Sequence, residues 1–251
     1  MRDGVIACER QVPPPLDRGH ALFLDFDGTL VEIAPTPDLV RVPAGLPHLL
    51  GELAARLDGA VAVVSGRPLD ELILMLAPFT GTIIGQHGLE CRHGDGRKNR
   101  LVARPELRRA LSTLAEFAAK HDGVMLEDKG GTLALHYRRA PSLGTLCRAI
   151  VQQAADTSGE VLAAVAGKMV IELMPRSGGK GRAIIALLAD APFHGRLPVF
   201  IGDDTTDEDG FAAVNRLGGV SVHVGGGATI ARHSLATVRD VLAWLARGLA
   251  Q

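Results

Sequence analysis

The nine residues ALFLDFDGT (21–29) decide the fold. Residues 21–24 are continuously apolar, which is typical of a strand buried on both faces of a parallel sheet. The strand ends at Asp25, and Asp27 follows two residues later, so in extended chain both carboxylates point to the same side. Gly28 then allows a sharp turn. Because sites in open α/β sheets lie at the carboxyl ends of strands, the stretch predicts an α/β fold with a site on Asp25 and Asp27.

Most of the chain outside this stretch alternates between buried strands and amphipathic helices. Such alternation predicts a Rossmann-like parallel sheet with helices on both faces. The expected strands are residues 61–67, 81–86, 197–204 and 220–225, with 220–225 the last. The expected helices begin near Leu46, Pro68, Gly178 and Asp207, and Ser234 is expected to cap the terminal helix.

The middle of the chain has a different pattern, in which a helix and two short strands occur twice. An αββαββ order is typical of an antiparallel sheet covered by two helices. We therefore predict a core formed by residues 1–101 and 176–251, interrupted by an α+β cap domain over residues 102–175. Within the cap, the expected helices begin at Pro105 and at a capping Ser142, and the expected strands are residues 123–127, 132–138, 161–166 and 168–173.

Composition and charge exclude several classes of protein. The formal net charge of −1 over 251 residues gives no basic field, so we expect no nucleic-acid partner. No stretch approaches the roughly 20 apolar residues of a membrane span, and residues 1–15 do not have the pattern of a signal peptide. Cys8, Cys91 and Cys147 have no metal-ligand spacing and indicate reduced thiols. We expect a cytoplasmic monomer that binds a small molecule and no membrane.

A second group of carboxylates lies in GDDTTDED (202–209). Such a run is often a solvated helix start stabilised by the helix dipole, and that is the interpretation for Glu208 and Asp209. Asp203 and Asp204 differ because they end an apolar strand. Hard cations such as magnesium take several oxygen ligands at once, and two acidic strand ends in one sheet can supply them.

Two further segments suit a phosphate group. VSGR (64–67) brings the hydroxyl of Ser65 to a third strand end, and GGKG (178–181) brings Lys180 to a helix start, where backbone amides already favour an anion. Each segment alone occurs often by chance. The two segments are informative because they occur together with the two carboxylate segments on one chain of alternating strands and helices.

With DFDGT (25–29), Ser65, Lys180 and GDD (202–204) in this order, the chain resembles the phosphatases of the haloacid dehalogenase superfamily. Further segments are similar to trehalose-6-phosphate phosphatases, and the resemblance extends over nearly the whole chain from Leu22. These segments are GDDTTDEDGF (202–211), LEDK (126–129), LHYR (135–138) and the pair Gly167-Lys168 preceding Glu172.

The resemblance implies the chemistry of the site. It implies that Asp25 attacks phosphorus and carries an aspartyl phosphate, and that Asp27 acts as general acid and then general base. It also implies the ligands: Ser65 and Lys180 for the phosphate oxygens; Asp25, the main-chain carbonyl of Asp27, and Asp203 for Mg²⁺, with Asp204 and Asp207 acting directly or through water.

The alternation in the cap predicts which residues meet the sugar. One face of its strands is apolar (Leu133, Leu135, Tyr137, Met169, Ile171 and Leu173) and is expected to pack on the cap helices. The other face is polar, which by itself describes a solvated sheet equally well. Proximity to the strand ends and the family resemblance favour sugar binding and a cap that excludes water. The expected sugar ligands are Glu127, Lys129, His136, Lys168 and Glu172 from the cap and Arg67 from the core.

The sequence leaves other functions open. A sucrose-phosphate or mannosyl-phosphate phosphatase of the same superfamily has the same four motifs, and a phosphosugar mutase shares the nucleophile. A non-catalytic sugar-phosphate sensor, or a regulatory domain that binds a synthase, is the alternative from another class. Manganese fits the same oxygen ligands as magnesium.

Overall fold

The computed structural model describes residues 11–100 and 105–249, which form two sheets with their own helices. The strands are β1 (His20–Leu24), β2 (Val61–Val64), β3 (Thr82–Gly85), β4 (Glu90–Arg92), β5 (Lys98–Arg100), β6 (Met125–Asp128), β7 (Leu133–His136), β8 (Leu162–Gly167), β9 (Val170–Pro175), β10 (Leu197–Gly202), β11 (Val220–Val224) and β12 (His233–Leu235). The helices are α1 (Leu46–Arg56), α2 (Leu69–Met75), α3 (Pro105–Ala119), α4 (Gly144–Thr157), α5 (Lys180–Leu188), α6 (Glu208–Arg216) and α7 (Val238–Leu249).

The larger sheet has eight strands in the order β12-β11-β10-β1-β2-β3-β4-β5. The strands from β12 to β3 are parallel, and β4 and β5 extend the sheet as an antiparallel hairpin. After β1 the chain adds β2 and β3 on one side and later β10 to β12 on the other, so the winding reverses at β1. Such a reversal opens a crevice at the carboxyl ends of the central strands. The predicted α/β class is confirmed.

The centre of this sheet is buried on both faces. Ala21, Leu22, Phe23 and Leu24 in β1 have no exposed surface, as their uninterrupted apolar sequence predicts. Helix α1 buries the leucines that recur at helical spacing, and α7 buries Trp244. Segment 11–16 packs against α7, where the Trp244 indole donates a hydrogen bond to the carbonyl of Pro13 at 3.3 Å.

The smaller sheet has four antiparallel strands in the order β6-β7-β9-β8. Its apolar face packs on α3 and α4 as predicted, with Leu135 and Ile171 among the residues buried against Leu114 and Val151. Met169 is the exception. It occupies the β8–β9 turn with a φ of 62° and is 41% exposed, because the turn interrupts the alternation.

The structure corrects three local predictions and adds a hairpin. Residues 220–225 do not form the last strand, because β12 follows, and Ser234 lies inside β12 and caps no helix. The Thr237 hydroxyl instead accepts from the Asp240 amide at the start of α7. Ser142 lies within a short 3-10 helix (Pro141–Leu143) and caps nothing. The hairpin of β4 and β5 was not predicted, because three-residue polar strands lack a measurable hydrophobic period.

Two predictions fall on residues that the structure does not describe. The predicted start of the cap, at residue 102, lies in the gap between residues 100 and 105, and Cys8 precedes residue 11. Among the helices of the described ranges, none has the length and hydrophobicity needed to cross a membrane.

Candidate active site

Three central strands deliver the candidate catalytic groups to one edge of the large sheet. Asp25 follows β1, Ser65 follows β2 and Asp203 follows β10, and these strands are neighbours. Lys180 opens α5 beside them, and all four side chains are buried. The predicted nucleophile, phosphate ligands and metal ligand therefore converge because parallel strands end at the same edge.

A buried ion-pair chain runs through Asp25, Lys180 and Asp207. The ammonium of Lys180 donates to Oδ1 of Asp25 and to Oδ1 of Asp207, both at 2.6 Å. Burial opposes the charged form of Lys180, but Asp207 and Asp25 together outweigh it and raise the pKa of the ammonium above its ordinary value. Lys180 is therefore a fixed positive charge beside the nucleophile.

Asp25, the predicted nucleophile, lies among more negative than positive groups. Burial and then the Asp207 carboxylate raise the pKa of Asp25 well above its ordinary value, and Lys180 compensates only in part. Burial likewise raises the pKa of Asp203, although the Lys168 ammonium contacts that carboxylate. A further cation bound at this cluster would therefore stabilise the ionised carboxylates.

The carboxylate cluster fits a divalent cation. One oxygen from each of Asp25, Asp203 and Asp207 can be chosen so that all three lie within 4.8 Å of one another, which suits a shared hard cation. A Cβ atom at Gly28, where φ is 81°, would overlap the Asp203 carboxylate, so the glycine lets Asp203 lie close to the loop after β1. Asp207 is fully buried and belongs to the cluster itself, whereas the resemblance left open whether it acts directly or through water.

Asp204 and its neighbours organise the loop after β10. Asp204 and Asp207 form a capping box around a 3-10 turn (Thr205–Asp207), and an oxygen of Asp207 accepts from the amides of both Asp203 and Asp204 at 3.0 Å. The acidic run is thus bonded into the fold. Asp209 also accepts from the amide of Gly181, which fixes the start of α5.

Asp27 is held by Arg67. The guanidinium donates from Nε and Nη2 to the two oxygens of Asp27, at 2.7 and 2.9 Å, and also to Glu71 and to the carbonyl of Pro37. Burial opposes the charge on Arg67, but Asp27 and Glu71 together outweigh it and raise the pKa of the guanidinium. The predicted sugar ligand Arg67 is therefore engaged with protein groups and orients Asp27.

The predicted cap ligands lie on the polar face of the small sheet and point into the same cleft. His136 and Glu127 pair at 2.8 Å, and Lys129 contacts Glu172. Burial opposes ionisation of Glu172, but Lys129 and His87 outweigh it and lower the pKa of that carboxyl. Burial also opposes ionisation of Glu127, but His136 and Lys129 together outweigh it and lower the pKa of that carboxyl.

The cleft between the two sheets has a volume of about 210 Å³. Its floor is the catalytic edge of the large sheet, its roof is the polar face of the small sheet, and one wall is apolar. All predicted site residues except Asp207 line it, and the apolar wall consists of Ile33, Ala34, Pro35, Pro37 and Val40.

Sequence reasoning missed several cleft residues. Arg138 lines the cleft on the same face as His136, where the alternation had placed it, yet it was not among the predicted ligands. The apolar wall has no periodicity that predicts a site. His87 was not among the predicted ligands either, but it contacts Glu172 across the cleft. Its backbone conformation, with a φ of 54°, has no signal in a single sequence.

Comparison with known proteins identifies the family. The sequence profile of the family described as trehalose-phosphatase matches residues 23–241. The chain belongs to the trehalose-phosphatase family. It is 46% identical over 238 residues to the trehalose-6-phosphate phosphatase of Escherichia coli (strain K12), with 92% of this chain and 87% of that protein covered.

Solved structures support the family assignment at the level of the fold. The C-terminal domain of trehalose-6-phosphate phosphatase from C. albicans superposes with a TM-score of 0.81 at 22% identity, covering 96% of this chain and 99% of that one. A haloacid dehalogenase-like hydrolase from B. subtilis gives a TM-score of 0.64 at 16% identity, covering 90% and 99%. The resemblance to trehalose-phosphatases is confirmed, and the likeness to the B. subtilis hydrolase shows a shared fold.

Proposed function

We propose that this chain hydrolyses trehalose 6-phosphate to trehalose and inorganic phosphate through a phosphoryl group carried on Asp25. The observation that carries the proposal is the convergence of Asp25, Asp27, Ser65 and Lys180 below the polar face of the small sheet. The 46% identity to the E. coli enzyme supports the choice of substrate.

The first step is attack of an Asp25 oxygen on phosphorus. Lys180 and Ser65 lie beside Asp25, so they can hold the phosphoryl oxygens in place. A new bond forms between the Asp25 oxygen and phosphorus while the bond from phosphorus to the sugar oxygen breaks. Fixed positive charge at these oxygens is the main source of catalysis in phosphoryl transfer.

Asp27 moves the protons. It gives a proton to the departing sugar oxygen, then takes one from the water that attacks the aspartyl phosphate. The second step breaks the bond between phosphorus and the Asp25 oxygen and restores both carboxyl groups. The two bonds from Arg67 keep Asp27 facing the cleft during both steps.

We propose that the carboxylate cluster holds Mg²⁺, with Asp25 and Asp203 as ligands together with the main-chain carbonyl of Asp27. Asp204 and Asp207 complete the environment directly or through water. When bound, the ion supplies further positive charge for the phosphoryl oxygens. The excess of buried carboxylates over ammonium groups supports this proposal.

We also propose that residues 1–101 and 176–251 act as the catalytic core and residues 102–175 as the substrate cap. Supporting evidence is that each sheet has its own hydrophobic cluster. The cap then offers Glu127, Lys129, His136, Lys168 and Glu172 to the sugar hydroxyls. Monomeric state and cytoplasmic location stay predictions of the sequence.

The test is phosphate release from trehalose 6-phosphate, sucrose 6-phosphate, glucose 6-phosphate and mannose 6-phosphate, with Mg²⁺ and with chelator. Asp25→Asn is the control variant. We expect selectivity for trehalose 6-phosphate that is lost with chelator and in the variant. Equal activity on all four sugar phosphates would contradict the assignment of trehalose 6-phosphate as the substrate. No activity on any of them would favour the non-catalytic sensor.

A further inference from the structure

The turn Gln86–Gly88, which follows β3, has an unusual backbone. Its three residues have φ values of 46°, 54° and 100°, all in the left-handed region. Gln86 and His87 both carry side chains that disfavour this conformation, so their surroundings must hold them there. Both residues are buried. Residues held in such a conformation often have a positioning role, and the contacts of this turn show what it positions.

The main chain of the turn is hydrogen-bonded to the candidate phosphate ligand Ser65 and to the residue before the other candidate, Lys180. The amide of Gln86 donates to the carbonyl of Arg67, and that of His87 to the carbonyl of Ser65, both at 2.9 Å. The carbonyl of His87 accepts from the amide of Gly179 at 2.7 Å, directly before Lys180. The turn therefore ties the Ser65 loop to the start of α5.

The side chains of the same turn extend in the opposite direction, to the cap. Oε1 of Gln86 accepts from the amide of Gly131, in the β6–β7 turn, at 3.0 Å. Nε2 of His87 lies 2.5 Å from Oε2 of Glu172 in β9, and both side chains are buried. Two adjacent core residues thus contact two separate parts of the cap, the β6–β7 turn and strand β9.

Gly66 completes the contact surface. A Cβ atom at Gly66 would overlap the imidazole of His87, so the absence of a side chain allows the ring to lie over this loop. The ammonium of Lys129, from the cap, donates to the carbonyl of Gly66 at 3.2 Å and also contacts Glu172. Core loop, imidazole and cap residues therefore form one connected unit.

We propose that Gln86 and His87 are positioning residues that form the core half of a latch between the cap and the phosphate-binding loop. The latch sets the closed position of the cap. In that position Glu172 and Lys129 contact the sugar while Ser65 and Lys180 contact its phosphate group. This inference rests on the proposed function, since it assigns the cap to the sugar. In this role Gln86 and His87 do not contact the phosphate group themselves.

The test uses asparagine variants, because asparagine tolerates the left-handed conformation and is too short to reach the cap contacts. The variants are His87→Asn and Gln86→Asn, with His48→Asn as control, since the side chain of His48 is 81% exposed on α1. Two substrates separate the roles: trehalose 6-phosphate, which needs the cap, and p-nitrophenyl phosphate, which offers the cap no sugar. Circular dichroism and a thermal melt verify folding.

We expect kcat/KM for trehalose 6-phosphate to fall by about 100-fold in His87→Asn, the scale of a small misplacement of bound groups. Hydrolysis of p-nitrophenyl phosphate and the control variant should be unchanged. Equal losses on both substrates, or no loss on either in both latch variants, would overturn the latch. If the wild-type chain hydrolyses p-nitrophenyl phosphate but not trehalose 6-phosphate, the proposed function fails instead.

A substrate-free measurement tests the latch independently. The amide of Gly131 bonds to Gln86 and not to His87, so its hydrogen exchange in His87→Asn reports release of the cap as a unit. We expect faster exchange of this amide in His87→Asn and unchanged exchange in the His48→Asn control. Exchange that stays at the wild-type rate in His87→Asn would overturn the latch whether or not the chain acts on trehalose 6-phosphate.

Discussion

The pairing of Asp27 with Arg67 shows how a residue's role depends on contacts that a single sequence does not contain. The two bonds, at 2.7 and 2.9 Å, use both oxygens of Asp27. Arg67 lies three residues from β2, in a segment that suggested a ligand-binding role. Its partners Glu71 and Pro37 come from different elements, so only the folded chain shows that the guanidinium is already engaged.

Asp27→Asn tests the proton transfers at this residue. The asparagine amide cannot give a proton to the leaving oxygen or take one from the attacking water. We therefore expect kcat for trehalose 6-phosphate to fall by about 10²–10⁴-fold. With p-nitrophenyl phosphate the leaving group needs no proton, and an early burst of p-nitrophenol should precede slow turnover in rapid-mixing kinetics. A variant that retains wild-type kcat would contradict the role of Asp27.

Cys91 gives a pH-dependent prediction at the residue scale. Burial raises the pKa of its thiol to about 11, and the nearby Arg97 and Arg92 offset this only in part. Because the raised pKa leaves the thiol protonated at neutral pH, alkylation by iodoacetamide should rise about tenfold for each pH unit from 7 to 10. Peptide mapping isolates this site from the other cysteines. A plateau in rate below pH 9 would contradict the burial.

At the scale of elements, Gly66 and Gly51 give a matched pair of predictions. A methyl group at Gly66 overlaps the His87 ring, which Glu172 holds, so Gly66→Ala should lower the free energy of unfolding by about 1–3 kcal/mol. Gly51, in α1, has nothing within 4 Å of an added Cβ. Gly51→Ala should therefore raise the free energy of unfolding by up to about 1 kcal/mol, because alanine has the higher helix propensity. Urea denaturation measures both, and the same sign for the two variants would contradict the assigned contacts.

The sequence predicted well those helices that bury one face and those strands that are buried on one or both faces of a sheet. The strands β1, β2, β3 and β10 were predicted because an apolar run is required where both faces of a sheet are covered. The short strands β4, β5 and β12 were missed, since three residues carry too little pattern. Ser142 and Ser234 have the right residue type for a cap, but Ser142 lies in a 3-10 helix and Ser234 in β12, so each helix starts later.

At the scale of the whole molecule, the chain has two hydrophobic cores joined through a polar cleft. The sequence predicted both layers, because the hydrophobic period changes in its middle. It could not predict that Glu172 would be shared by Lys129 and His87, since those residues come from different layers. Contacts across the cleft depend on how the layers pack, and local pattern carries no information about that.

The central claim is that Asp25 takes the phosphoryl group from trehalose 6-phosphate, and it can be tested by trapping. A single turnover with Mg²⁺ is stopped with acid, the acyl phosphate is reduced with borohydride, and peptides are sequenced by mass spectrometry. Reduction converts an aspartyl phosphate to homoserine, so we predict homoserine at position 25 and none in Asp25→Asn. Phosphate release with no modified residue, or with the modification at another aspartate, would contradict the claim.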